Sequence, residues 1–280
     1  MNLLPNRISP SLTLRVAGTL LLFIVGLALI GPMTSEHTAE DMDWENIGVA
    51  PSMTHWFGTD DVGRDLFVRT MEGTRVSFTV ALIATSVALL IGIPWGATAA
   101  LAGGLVDQIM MRIVDAMYSL PGILIVILLV VLFGRNQYLL FAGIGAIAWL
   151  DIARIVRGQT LRLRESPFID AARSLGGKTT YIMSRHVIPN VAGPIIVYTT
   201  LMIPGVILAE SFISFLGLGI QEPDTSLGVL VSDGTQVMET SPWILMFPGG
   251  LLALTVWSLN TIGDRLRDLT DTHSDQRPIA

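Results

Sequence analysis

Runs of about twenty apolar residues constrain this chain more than anything else in it. A helix rises 1.5 Å per residue, so such a run crosses the ~30 Å hydrocarbon layer of a bilayer. Six are readable, at about 14–33, 76–103, 113–133, 138–156, 191–216 and 243–263. Only 14% of the 280 residues are charged and 51% are hydrophobic. A soluble domain carries roughly 25% charge, so this chain lacks the charge to cover a water-facing surface. The alternating ten-residue segments of a membrane β-barrel are absent. The pattern predicts an all-α membrane protein with six transmembrane helices. Residues 1–13 form an N-terminal tail and 14–280 a single transmembrane domain. The first run is too long for a signal-peptide core and no small-residue cleavage site follows it, so it reads as a retained span.

Charge placement predicts orientation. The segment between the fourth and fifth runs carries Arg154, Arg157, Arg162, Arg164, Arg173, Lys178 and Arg185. The segment between the fifth and sixth has Glu222, Asp224, Asp233 and Glu239 and no basic residue. The segment after the first run is also acidic, from Glu36 to Asp61. Cytoplasmic loops are the basic ones, so the basic loop and both termini are expected inside and the two acidic loops outside.

The basic loop is patterned, not merely charged. Ser166 is a suitable N-cap, and Pro167 suits the first helical position, where its missing N–H costs nothing. Gly176 and Gly177 supply a stop. Between them the sequence predicts a helix over about 167–175, with Phe168, Ala171, Ala172 and Leu175 on one apolar face. Asp170, Arg173 and Ser174 occupy the other positions. A second short helix, about 179–188, is expected to end before Pro189. A solvated connector that only fixes topology needs no such capped helix. The segment reads as a peg that docks on a cytoplasmic partner and receives mechanical work from it.

These residues carry a family resemblance. FIDAARSLGGKTTYIMSRHVIPN (168–190) resembles the EAA loop of ABC-importer permeases, with Asp170 where the family often has Glu, and with Gly176 and Pro189 matching. HWFGTDDVGRDLFVRTMEGTRVSF (55–78), SFLGLGIQEP (214–223), SPWILMFPG (241–249) and NTIGDRLRDLTD (260–271) resemble the "C" permease of the dipeptide/oligopeptide/nickel branch. One departure is Leu227-Gly228, where relatives usually have Trp-Gly. The resemblance covers nearly the whole chain. It implies a type I importer permease fold whose coupling loop, 157–190, meets an ATPase through Phe168, Asp170, Ala171, Ala172, Arg173, Leu175, Gly176 and Pro189. It implies as partners a second, homologous permease, two cytoplasmic ATPase subunits that hold the ATP–Mg, and an external solute-binding protein. The implied location is a bacterial inner membrane, in contact with lipid. The implied cargo is small peptides, with nickel chelates or oligosaccharides as alternatives. Nucleic acid is not among the implied partners.

Other polar residues admit two readings each. Asp60, Asp61 and Asp65 tempt a metal assignment, but an N-cap role and pairing with Arg64 and Arg69 account for them. Asp60, Asp61, Arg64 and Asp65 are also candidates for docking the external binding protein at the start of an amphipathic helix. No metal site is expected, and His55, His186 and His273 have no ligand-like spacing. Glu210 is the most buried-looking charge; it either pairs structurally or lines the substrate path. Asp115 and Asp151 lie nearer the cytoplasmic ends of their spans, where water reaches. Pro94, Pro121, Pro194 and Pro204 interrupt spans. The chain has no cysteine, no GxxxxGK[ST] phosphate loop, no HExxH and no GxSxG, so no enzyme activity and no bound cofactor are expected of it. An ion-coupled secondary transporter is the competing reading, with Glu210 as its one intramembrane candidate.

Overall fold

A computed structural model describes residues 10–134 and 136–274. The tail residue Arg7 and the side chain of His273 lie outside the described residues. The described secondary structure is helical, apart from one isolated antiparallel bridge between Thr59 and Asp65. The helices are α1 (Pro10–Thr34), α2 (Leu66–Ala102), α3 (Gly104–Tyr118), α4 (Gly122–Phe133), α5 (Gln137–Arg164), α6 (Pro167–Ser174), α7 (Thr179–Ile182), α8 (Ile188–Phe215), α9 (Leu227–Gln236) and α10 (Trp243–Ser274). A π-turn, Met183–Val187, joins α7 to α8. Among the described residues, five helices are long and apolar enough to cross a membrane, and six spans result if α3 and α4 count as one broken pair.

The third expected span, 113–133, is not one straight helix. Its two halves meet at 78° across Ser119–Pro121. Pro121 disfavours helical geometry in the residue before it and starts the next helix. Pro94, Pro194 and Pro204 instead remain inside continuous helices. Helix ends also differ from the apolar borders. α2 begins at Leu66 rather than near 76, and α5 continues to Arg164 rather than 156. Backbone hydrogen bonding does not stop where an apolar run stops: α2 starts with turns that carry buried Arg69 and Thr70, and α5 ends with turns that carry Arg162 and Arg164. The same logic corrects the helix expected to end before Pro189. Pro189 lies inside an unbroken helical segment, Thr179–Phe215. The π-turn lets this happen: Ile188 N–H reaches Met183 O, five residues back, absorbing the register that proline disrupts.

The chain divides into two compact units. The first comprises the described residues of 1–80 and 207–268. Phe67, Val68 and Met71 of α2 form its apolar centre with Ala39, packed by Leu27, Phe57 and Leu251. Phe57 stacks on Phe247 at 4.1 Å between centroids and meets Phe67 edge-on.

The second unit comprises the described residues of 81–206 and 269–280. Its core gathers Ala88 and Ala97 of α2, Trp149, Ile152, Ala153 and Val156 of α5, and Ile169, Ile182, Val187 and Val191 of the following segments. α2 and α5 approach closely because glycine stands on both. A Cβ at Gly96 would lie 2.3 Å from Ala153 O, and one at Gly145 would lie 2.6 Å from Ala84 O. Small residues that let backbones touch are a usual means of helix association in lipid, where apolar side chains gain little by exchanging lipid tails for one another.

Candidate functional site

The basic loop is held at both ends. Arg164, in the last turn of α5, donates to Ala100 O of α2 at 2.9 Å. The chain then turns through Ser166, whose extended backbone (φ −81, ψ 138) precedes Pro167 at the first helical position. The expected Ser166 cap is only partly realised: its carbonyl accepts from Ile169 N–H at 3.0 Å, but its hydroxyl caps nothing. The C-terminal stop is complete. Gly177 N–H donates to Ala172 O and Gly176 N–H to Arg173 O, each at 2.9 Å, with Gly176 at φ +81. This reciprocal pair is the Schellman motif, and its left-handed residue is the one position here that favours glycine outright.

α6 has two sides with different jobs. Phe168 (43% exposed), Ala171 and Leu175 (89% exposed) face outward, with Ala172 half-buried beside them. Ile169, fully buried, points into the core against its neighbours Ile182 and Val187. Sequence periodicity did not single out Ile169, because it sits about 100° around the helix from Phe168, at the edge of the apolar face. Phe168, Ala171, Ala172 and Leu175 line one side of a ≈ 500 Å³ cavity, and Tyr181 and His186 line the other. Asp170 and Arg173 are exposed and pair weakly at 3.7 Å. Pro189 is exposed within the continuing helix. The arrangement is an apolar, solvent-open surface on a short helix that is pinned from behind.

Nearby, α3 and α5 of the same unit bind through charge. Arg157 donates twice to Asp107, both at 2.6 Å, and Arg154 donates to Asp115 at 2.7 Å. Arg154 also lies 3.9 Å over the Tyr118 ring, and Tyr118 donates to Asp151. Asp115 and Asp151, expected where water reaches, are exposed and have protein partners as well.

In the first unit the acidic loop folds around ion pairs. Asp60 accepts from Val62 N–H, Arg64 N–H and Arg64 Nε, at 3.0, 2.8 and 2.7 Å. Arg64 Nη1 continues to Glu222 at 2.8 Å, and buried Arg69 sits 3.5 Å from Asp60. Asp65 caps α2 by accepting from Val68 N–H at 2.9 Å, and its second oxygen meets His55 Nδ1 at 2.9 Å. Asp60, Arg64 and Asp65 are each at most 5% exposed. Of the four residues expected to meet an external protein, only Asp61 presents its side chain to solvent. The others are interior struts, and α2 runs on from them into the second expected span without the separate amphipathic helix. Asp233, on α9, faces the same cluster. Burial pushes its carboxyl up to about 6, against the pull of Arg69. Leu227, the departure from Trp, is fully buried and so belongs to the core rather than to an outer docking surface.

Glu210 is also fully buried. Ser214 donates to it at 2.6 Å and Ser77 at 3.2 Å. These hydroxyls give the buried carboxylate hydrogen-bond partners within the first unit.

Residues 90–274 match the family of binding-protein-dependent transport system inner membrane components. The chain belongs to this family. The matched segment includes α6, the π-turn and Glu210. The oligopeptide transport system permease protein OppC of Escherichia coli is 48% identical over 259 residues, covering 91% of this chain and 86% of that protein. OppC of Haemophilus influenzae is 48% identical over 254 residues, covering 90% and 82%. The dipeptide transport system permease protein DppC of Bacillus subtilis is 42% identical over 253 residues, covering 90% and 79%. Among solved structures, an inward-facing form of the MetNI methionine ABC transporter shares the fold, with TM-score 0.57 at 18% identity over 73% of this chain and 96% of that one. This inner membrane component therefore has the importer-permease fold, and α6 occupies the loop where the family resemblance was strongest.

Proposed function

We propose that this inner membrane component is one of two permease subunits of an ATP-driven importer that carries small peptides inward. Two P-loop ATPase subunits hold the ATP–Mg on the cytoplasmic side, and an external binding protein delivers cargo. Both termini and the basic 157–190 loop lie in the cytoplasm. The observation that carries the reading is the exposed apolar face of α6, Phe168, Ala171 and Leu175, on a helix anchored by Ile169. Such a face is costly in water and useful only against a partner. The identity to oligopeptide and dipeptide permeases supports peptide as cargo over nickel chelates or oligosaccharides.

The mechanism follows from rigidity. Moving an equilibrium from 1:99 to 99:1 takes about 5.5 kcal/mol of differential binding. ATP-driven closure of the ATPases supplies it, and α6 transmits it. The Schellman stop and the Ile169 anchor keep α6 from melting under load. Force enters at Phe168, Ala171, Ala172, Leu175 and the flanking Asp170, Arg173 and Gly176, then passes through the π-turn past Pro189 into α8.

Reconstitution with the second permease, the ATPases and the binding protein tests this. Labelled di- and oligopeptides, nickel and oligosaccharide are offered in turn. Peptide uptake that requires ATP and survives collapse of the ion gradients is the expected result. Uptake that follows the gradients and ignores ATP would favour the ion-coupled alternative and overturn the proposal.

A further inference from the structure

The acidic loop of the first unit brings together three potential metal ligands that no transport role uses. His37 follows α1, His55 lies in the loop, and Asp65 caps α2. One ligand atom from each lies within 4.8 Å of the others. His55 and Asp65 are 7% and 3% exposed, and His37 is half-buried. The two imidazoles stack at 4.6 Å between centroids and 24° between planes. Asp65 is held rigidly: one oxygen takes Val68 N–H, leaving the other on His55. A cavity of ≈ 310 Å³ opens beside them, lined by His37, Asp65 and a further carboxylate, Glu36.

We propose that His37, His55 and Asp65 bind a divalent transition metal of the imidazole-preferring class, with zinc the best fit. Two imidazole nitrogens and a carboxylate oxygen are the donor set of three-protein-ligand zinc sites, which leave a fourth position for water or another ligand. Glu36 or water fills it from the cavity. Magnesium and calcium are a poor match, because they need six or more oxygens or keep most of their water. Zinc bonds of ~2.0–2.2 Å put neighbouring ligand atoms ~3.3 Å apart. The site must therefore contract, and His37 is the mobile member, being the least buried of the three. Contraction staples the end of α1 to the start of α2 through the loop. The His55 Nδ1–Asp65 contact at 2.9 Å places these two donor atoms side by side, as ligands of one metal require.

The test uses the full-length chain in nanodiscs, its affinity tag cleaved off, stripped with chelator and dialysed. Zinc chloride is titrated by calorimetry and against a chromophoric chelator. One zinc per chain is expected, with affinity falling tenfold or more in His37→Gln and in His55→Ala. Asp61→Asn, an exposed acid outside the cluster, retains wild-type binding, and magnesium chloride produces no heat. Zinc raises the Tm of the wild type and not that of His37→Gln. His37 is half-buried and touches the cluster through stacking, so that variant keeps the fold even if His55→Ala does not, and circular dichroism checks it. No zinc binding by the wild type, or equal binding by the wild type and His37→Gln, overturns the site.

Discussion

Replacing Ile169 with alanine isolates the anchor of the coupling helix from its contact face. Ile169 is fully buried against the core that includes Ile182 and Val187. The change removes three carbon groups, worth ~0.8 kcal/mol each in transfer alone, and leaves a cavity that brings the range to ~2–5 kcal/mol. Taking ~3 kcal/mol, the equilibrium between seated and unseated α6 shifts about 100-fold, at tenfold per ~1.4 kcal/mol. Hydrogen exchange of the 169–175 amides reads the seat directly, and should accelerate by about that factor. In proteoliposomes with the ATPases, peptide moved per ATP hydrolysed should fall while hydrolysis persists. Phe168→Ala is the control, since Phe168 is 43% exposed: it should weaken ATPase binding without changing amide exchange. Wild-type exchange together with a wild-type transport-to-hydrolysis ratio in Ile169→Ala would refute the claim that the anchor makes α6 a force transmitter.

Gly176→Pro deletes the N–H that donates to Arg173 O and forces φ from +81 to about −65°, so the helix stop fails; uptake should be abolished while membrane insertion, read by protease protection, is normal. Ala172→Trp fills the groove beside Leu175 and should likewise abolish coupling, measured as loss of substrate-stimulated ATPase activity. Asp233 has a folded-state carboxyl raised from 3.8 to about 6. Folded protein thus holds this proton to higher pH than unfolded protein does, so its contribution is fully present below about pH 4 and is lost as pH rises through 6. Two pH units at ~1.4 kcal/mol each, discounted for partial exposure, leave ~1–2 kcal/mol. Asp233→Asn should therefore gain in Tm relative to the wild type as pH rises from 4 to 7.5, checked by thermal scans in detergent. Glu210→Ala strands the Ser77 and Ser214 hydroxyls in a dry interior and should cost ~2–4 kcal/mol, whereas Glu210→Gln should fold and transport independently of proton gradient.

What the sequence made legible is what depends on local period and local chemistry. The α6 face followed from residues three and four apart, and its stop from paired glycines. Ends and partners were harder, for physical reasons. Hydropathy reports which solvent a side chain prefers, so it marked 76 and 156 as borders, while the backbone ladder of α2 and α5 ran past both. Pro189 read as a terminator because proline removes one i−4 bond; a π-turn three-dimensionally adjacent in the same ladder cancels that, and nothing in the residue types announces it. The acidic loop was legible in part: a cap and pairing with Arg64 and Arg69 were readable, its burial was not. Asp60 and Asp65 look like surface charge because acidic residues are almost never fully buried unless paired. Asp60 is paired by Arg64, which Glu222 far along the chain also holds, Asp65 is paired by His55, and both take backbone N–H groups that only a folded turn aims inward. The same closure brings His37 onto His55. A loop dense in charge on an apolar protein is therefore better asked where its carboxylates find donors than which surface they decorate.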